Sequence, residues 1–193
     1  KIGRTRTAPD ANDDVTAKFT VISGQDYIGK YYNTYRHMQK MSIEDKVNPI
    51  DFVVHLGDYI YETTGDPSFQ FSGNTRLVDF NSHSYAYLDA EEALSDPADR
   101  GAIQLGSGAS AFHAARTRSD YYIIYETYKS DPIMQSIHEN FPWYMVWDDH
   151  EFSDDYHDGT AQFLDYRDEF DYARKYNSER AYMEWLPVGM GLD

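Results

Sequence analysis

No cysteine occurs in this sequence, so no disulfide braces the fold and no thiolate is on hand as a metal ligand. Nor is there an apolar run approaching the ~20 residues that cross a bilayer as a helix. Positive charge is scarce: 17 Lys and Arg stand against 33 Asp and Glu, a formal net charge of −16. That imbalance repels phosphate backbones and anionic lipid, which argues against nucleic acid or a membrane as partner. The chain opens without a charged-then-apolar leader, so any export signal has been removed or never existed. Gly106-Ser107-Gly108 lacks the lysine and the spacing of a phosphate-cradling loop and reads as a turn.

Aromatic and acidic residues are what the chain has in excess. Eighteen tyrosines offer apolar area with a polar tip, suited to helix faces beside a wet cleft. The surplus acid fits a solvating surface, an attractor of divalent cations or an adaptation to salt. A length of 193 residues is enough for one sizeable core or for part of a larger domain.

The stretch Asp51-Phe52-Val53-Val54-His55-Leu56-Gly57-Asp58-Tyr59-Ile60-Tyr61 anchors the reading. Its first half is a short apolar run, the mark of a buried parallel strand. Its second half sets an acid and a phenol where that strand stops, and open α/β sheets bind ligands outside the carboxyl ends of their strands. Gly57 lets the backbone turn sharply and brings Asp58 close to a ligand. Carboxylate and phenolate are hard donors, matched to a hard cation. A plain strand and turn, with Asp58 capping and Tyr61 packing, remains the alternative.

Around this stretch the chain falls into place. Lys18 to Ile22 alternates as a first strand, closed by Ser23-Gly24. Ile28, Tyr31, Tyr35 and Met38 follow at helical spacing, with the helix finishing near Ser42. Residues 62–108 are rich in Gly, Ser, Asp and Asn and show little period; they read as a lid or substrate-facing excursion, with a helical turn at Ala90 to Leu94. Helical spacing returns from Ser110 to Ser130 through Phe112, Ala115, Tyr121, Ile124 and Tyr128. Asp131-Pro132 starts a further helix that ends near Asn140. Pro142 to Trp147 is a third strand, and a last helix uses Tyr166, Phe170, Ala173 and Tyr176 before Pro187. No internal repeat divides the chain, so one domain is expected.

Asp148-Asp149-His150-Glu151 ends the third strand as Gly57-Asp58-Tyr59-Ile60-Tyr61 ends the second. In neighbouring parallel strands both turns lie on one edge, and several carboxylates converge with an imidazole and a phenol. Such crowding costs on the order of several kcal/mol per unpaired charge, which a cation relieves. Two cations ~3.5–4 Å apart bind the attacking and leaving oxygens of a displacement at phosphorus. Asp58 then bridges them, Tyr61 favours ferric iron on one and Asp149 holds the other. His150 protonates the leaving oxygen or steadies the phosphoryl oxygens. A helix N-terminus is the competing account of Asp148 to Glu151. Asp154, Asp155 and Asp158 fit a wet acidic loop, from which one acid could reach a calcium ion or a group that holds one. His37, His83, His113 and His138 fit packing or surface roles, and His55 points into the core. Arg116 and Arg118 fit a solvated helix face or phosphate contacts.

These residues resemble the PhoD-like alkaline phosphatase and phosphodiesterase family, a branch of the calcineurin-like metallophosphoesterases. The resemblance is carried by Gly3-Arg4-Thr5-Arg6-Thr7-Ala8-Pro9, by Phe52 to Glu62, by Tyr128 to Pro142, and by Trp147-Asp148-Asp149-His150-Glu151 with Asp154-Asp155-Tyr156. It implies an α/β fold, a metallophosphoesterase-type β-sandwich flanked by helices, of which this chain is the N-terminal part. It also implies an exported enzyme, secreted or periplasmic, that hydrolyses phosphate mono- or diesters with iron and calcium. By the same resemblance Asp58, Tyr61, Asp149 and Asp154 are metal positions and His150 is catalytic. Three departures stand out. Gly24 occupies the place of a cysteine iron ligand, leaving iron absent or bound with help from Asp26. Asp154-Asp155 replaces an asparagine pair. The chain ends at Asp193, before the further acid and histidine ligands that the family places downstream.

Two rival functions remain. One is a non-catalytic cation-binding fragment; the other is a metal-free hydrolase of sugars that uses two acids.

Overall fold

A computed structural model describes residues 3–5, 7–29, 31–47, 49–70, 76–81, 101–158, 160 and 171–188. Its elements in chain order are β1 (Phe19–Ile22), α1 (Asn33–Gln39) running on into a wider turn (Lys40–Glu44), β2 (Phe52–His55), β3 (Thr63–Thr64), β4 (Ile103–Leu105) and β5 (Phe112–Ala114). Then come α2 (Arg118–Ser130), α3 (Pro132–Asn140), β6 (Trp143–Met145), a single-turn 3-10 helix (Asp149–Glu151) and α4 (Tyr172–Trp185). The class is mixed α/β with small sheets.

β2 is the middle strand of a three-stranded sheet and runs parallel to both β1 and β6. Val53 and His55 are fully buried and point at the helices, while Phe52 and Val54 are only half-buried. The run expected to be buried on both sides therefore alternates. On the other face Phe19 stacks on Phe52 with centroids 5.0 Å apart, Tyr144 meets Phe52 edge-on at 5.3 Å, and Phe19, Val21 and Tyr144 are exposed.

The helices explain the tyrosines. Tyr32, Tyr35, Tyr59, Tyr121, Tyr125, Tyr128 and Tyr182 belong to the buried core, not to the margin of a cleft. Most of their hydroxyls find buried partners, as such groups must. The Tyr121 hydroxyl donates to the Phe152 carbonyl at 2.7 Å, that of Tyr128 to Asp26 at 3.2 Å, and that of Tyr35 to Gln25. Trp143 is packed between His138 and His55, with centroids 4.1 and 5.9 Å away.

Three expectations about helices need correcting. The first helix begins at Asn33, so Ile28 lies on the turn before it and Tyr32, not Tyr31, faces inward. The helix expected from Ser110 begins only at Arg118, because Thr117 and Asp120 form a capping box there. Phe112 belongs to β5, where it pairs across an antiparallel sheet of order β3-β5-β4. β3 and β4 lie inside the stretch read as a long excursion, at its two ends. Within that stretch residues 71–75 and 82–100, with the expected turn at Ala90 to Leu94, lie outside the described residues.

The last helix packs through a polar face. Arg174 is wholly buried, as nearly are Asn177, Ser178 and Tyr182, whereas Tyr176 is 59% exposed. Arg174 Nε donates to the Ala115 carbonyl at 2.7 Å, so a backbone acceptor docks this helix together with Ala181 and Tyr182, which join the hydrophobic core. Tyr166 and Phe170 lie outside the described residues. Arg118 is tied to Glu184 at 2.5 Å and is not part of a solvated face.

Candidate metal centre

Parallel pairing sets the carboxyl ends of β1, β2 and β6 side by side, so three turns share one edge of the sheet. Gly57 lets two of them touch. Its φ is +99°, and a Cβ there would lie 2.5 Å from the backbone nitrogen of Asp148 and 2.8 Å from the carbonyl carbon of Trp147. Asp58 follows with φ 55°, a left-handed conformation that non-glycine residues seldom adopt. The first turn is tied to the second by hydrogen bonds from Gly24 N–H to the Gly57 carbonyl (3.2 Å) and from Gln25 N–H to the Asp58 carbonyl (3.1 Å).

Glu151 closes the arrangement. Only 2% exposed, its carboxylate accepts the backbone N–H of Asp58 at 3.0 Å, of Tyr59 at 2.5 Å and of Asp148 at 2.7 Å. Burial pushes this carboxyl up to about 7, against the pull of the three N–H groups. The run Asp148 to Glu151 is both a capped 3-10 turn and the rim of the site, so the two readings of it coexist.

The donors converge on this edge. Ligand atoms of Asp58, Asp149 and His150 lie within 4.8 Å of one another, and so do those of Asp149, Asp154 and Asp155. The Tyr61 hydroxyl donates to Asp58 Oδ2 at 3.3 Å, and the Tyr61 ring lies 4.2 Å from the imidazole of His150. Burial raises the Asp58 carboxyl above its ordinary range, and Asp149 and Asp148 add to the effect against the opposing charge of His150. Its Oδ1 is buried and has no hydrogen-bond partner. An acceptor with free lone pairs, crowded by like charge and facing further hard donors, fits a cation. An iron–thiolate does not fit. Gly24 presents no donor; the position of its missing Cβ lies 3.1 Å from the Tyr61 hydroxyl and 4.0 Å from Asp58 Oδ2.

The imidazole of His150 is held in turn. Its Nδ1 hydrogen-bonds Glu62 Oε2 at 2.8 Å, and its Nε2 lies 3.4 Å from Asp154 Oδ1. Burial works against a charged ring, but the bond to Glu62 and the charges of Glu62, Asp58 and Asp149 outweigh it and raise His150 to about 9. Asp154 is raised by burial, with His150 opposing.

Asp26 does not join the group: its Oδ1 accepts from Ile28 N–H at 3.0 Å, the Tyr128 hydroxyl at 3.2 Å and Gln70 Nε2 at 3.4 Å. His37 and His113 are exposed, His138 is half-buried and His55 buried, both in aromatic packing, and His83 lies outside the described residues. Sequence reading missed Glu62 and Glu151. Each stands beside a residue it did single out, and the spacing of Asp148 and Glu151 is that of a capping box, which was the available signal for Glu151; Glu62, bonded to a ring and to a loop N–H brought near by folding, leaves no spacing motif.

The model of the PhoD-like phosphatase family matches residues 19–192. The chain belongs to the PhoD-like phosphatase family. It is similar to a curated protein named alkaline phosphatase D from Bacillus subtilis (strain 168), 30% identical over 156 residues, which are 80% of this chain and 20% of that protein. It is also similar to a solved structure titled "Structure of PhoD", with a TM-score of 0.65 and 26% identity over 97% of this chain and 28% of that one. The chain thus spans between a fifth and a third of the length of these PhoD relatives. Both metal-capable turns of this PhoD-like chain fall inside the matched range, whereas Gly3 to Pro9 precedes it.

Proposed function

We propose that this centre binds hard cations and hydrolyses phosphate esters. One observation carries the reading: Asp58, Asp149 and His150 gather donor atoms within 4.8 Å at the carboxyl edge of a parallel sheet, and Asp58 Oδ1 is buried there without a partner. Membership of a phosphatase family supports the substrate class. Asp58, Tyr61, Asp149 and Asp154 would hold the cations. Ferric iron and calcium are the pair that the family resemblance implies, with Tyr61 suited to iron and the carboxylates to calcium. When bound, the metal supplies positive charge against the phosphoryl oxygens.

The chain's own groups supply the proton chemistry. Water oxygen bonds to phosphorus, the ester P–O bond breaks, and the departing oxygen takes the proton of His150 Nε2. The water's proton passes to solvent, from which His150 is recharged. The Tyr61 ring lies against the imidazole at an interplanar angle of 39° and limits its tilt.

Release of nitrophenol from mono- and diester phosphates, with and without a chelator, tests the reading. Hydrolysis abolished by the chelator and restored by added metal is expected; chelator-indifferent cleavage contradicts it. A second reading, cation binding without turnover, is supported by Gly24, which presents no donor beside Tyr61 and Asp58 where the family resemblance expects an iron ligand. Metal uptake with no nitrophenol release distinguishes it.

In this reading residues 1–193 form one partial catalytic domain, and the exposed face of the parallel sheet, bearing Phe19, Val21 and Tyr144, is the inner face of a two-layer sandwich. Export to the periplasm or medium follows from the family resemblance. Among the described residues no helix is long and apolar enough to cross a membrane.

A further inference from the structure

The loop that follows β3 turns the usual polarity inside out. Asp66 and Gln70 are 2% and 3% exposed, whereas Phe69 between them is 44% exposed. Asp66 Oδ1 accepts the backbone N–H of Ser68 at 2.8 Å and the Ser68 hydroxyl at 2.7 Å. Gln70 N–H donates to the Asp66 carbonyl at 2.8 Å, and Gln70 Oε1 accepts Asp66 N–H at 3.1 Å. From the same amide, Nε2 donates to the Thr63 carbonyl at 3.0 Å. Hydrophobic burial alone would put the phenyl inside and the carboxylate outside. Here the polar side chains fix the turn, and the turn presents a ring to solvent.

That ring lies against the candidate site. Its centroid is 5.6 Å from that of Tyr61 and 5.8 Å from that of His150, with the planes inclined by 46° and 48°. Neither pair is stacked, and among the described residues Phe69 is the one exposed ring in contact with both. A bond from Gln70 Nε2 to Asp26 Oδ1 at 3.4 Å also ties the loop to the turn after β1. A single exposed apolar side chain is ordinary by itself. One held beside the imidazole that serves the departing oxygen is not. We infer that Phe69 is a specificity-determining residue: it forms a subsite for the leaving group and selects phosphate esters whose departing oxygen carries an aromatic ring.

The inference rests on the proposed hydrolysis, in which the departing oxygen takes the proton of His150 Nε2. A hydrogen bond sets that oxygen about 3 Å from the imidazole, so the first atoms beyond it lie among the imidazole's neighbours. Those neighbours are unequal. Asp58, Asp149 and Asp154 offer carboxylates, suited to cations, and the Tyr61 hydroxyl is bonded to Asp58. Phe69 offers only an aromatic face and edge. Another ring meets such a surface offset or edge-on, with centroids about 4.5–7 Å apart, and gains more than its buried area alone supplies. An alkyl group gains the area without that added attraction. A leaving group with further negative charge is disfavoured by the chain's net charge of −16.

Two esters of matched leaving-group pKa, phenyl phosphate and a fluoroalkyl phosphate, separate recognition of the ring from ease of departure. On the metal-loaded protein kcat/KM should favour the phenyl ester by about 10-fold, the scale of one aromatic pair with its buried area. Phe69→Ala should bring that preference under about 3-fold by losing rate on the phenyl ester alone, with metal content unchanged. Phe69→Trp, which keeps an aromatic face, should retain it. A measurement that needs no variant is inhibition by phosphonates, whose P–C bond is not hydrolysed. Phenylphosphonate should inhibit the wild type about 10-fold more tightly than methylphosphonate. Equal kcat/KM for the two esters, equal inhibition by the two phosphonates, or an aryl preference untouched in Phe69→Ala overturns the subsite while leaving the hydrolase reading intact. A wild-type protein that hydrolyses neither ester overturns both.

Discussion

Glu151 accepts the backbone N–H of Asp58 at 3.0 Å, joining the turn after β6 to the turn after β2 across 93 positions of sequence. The same carboxylate takes Tyr59 N–H and Asp148 N–H, so it holds both turns and the left-handed φ of Asp58 at once. Residues in such sparsely populated conformations persist where surrounding contacts over-determine them. The site's geometry is thus set by a residue that need not touch a cation.

Replacing Glu151 by glutamine turns one acceptor oxygen into a donor among three backbone N–H groups. The expected cost is about 2–4 kcal/mol of unfolding free energy, from a lost charged bond and a buried unpaired donor. Cation affinity should fall as well, because Asp58 loses its anchor. Denaturant titration and calorimetric metal titration of Glu151→Gln check both. Unchanged values in both would show that the turns are held by something else.

Gly57→Ala tests how closely the turns must approach. The new methyl would lie 2.5 Å from the Asp148 backbone, where no side-chain rotation relieves it. Separation of the turns should cost more than about 2 kcal/mol and weaken cation binding. A variant as stable as the wild type would mean that the turns sit further apart than described.

How much of this was legible beforehand follows from where each signal resides. The parallel strands and their acidic turns carry local marks, an apolar run, a glycine and clustered acids, and the structure brings Asp58, Tyr61, Asp149, His150 and Asp154 to one edge. The α/β class follows from the same alternation of strand and helix. Of the face expected for α1, Tyr35 and Met38 are buried and Tyr31 is not; the face of α4 was missed, because helical spacing counts apolar residues while α4 also buries Arg174 against a carbonyl. β3 and β5 are two and three residues long, too short for any periodicity, and exist through pairing alone. Glu62 was invisible for a related reason: its partners are a ring and a backbone N–H brought near by folding, whereas Glu151 carried the spacing of a capping box.

Asp58→Asn separates function from stability. The carboxylate stands crowded by Asp149 and Asp148, and burial already raises its pKa. Removing the charge should lower cation affinity by at least about 100-fold, the upper end of the cost of losing a group that only hydrogen-bonds a ligand. In metal-free protein the same variant should be as stable as the wild type or more so. A destabilised metal-free variant with intact cation binding would contradict the role given to Asp58.

His138 gives a pH dependence away from the site. Stacked on Trp143 and hydrogen-bonded to the Tyr59 hydroxyl at 2.8 Å, it is lowered by burial to about 3 from an ordinary value of 6.5. Between those values the unfolded chain takes up a proton that the folded chain refuses. Stability is therefore full above pH 6.5 and falls as pH drops, by about 2 kcal/mol from this residue at pH 5. His55, lowered to about 4, acts in the same direction. Unfolding titrations at pH 8 and pH 5 should show the difference shrinking by that amount in His138→Phe. An unaltered difference would place His138 in contact with water.

The central claim is that the ends of two adjacent parallel strands jointly bind a cation, and an anomalous difference map of metal-soaked crystals tests it most directly. The account predicts a peak within coordination distance of carboxylate oxygens from both Asp58 and Asp149. A map with no peak there, or with metal bound only elsewhere on the acidic surface, contradicts it.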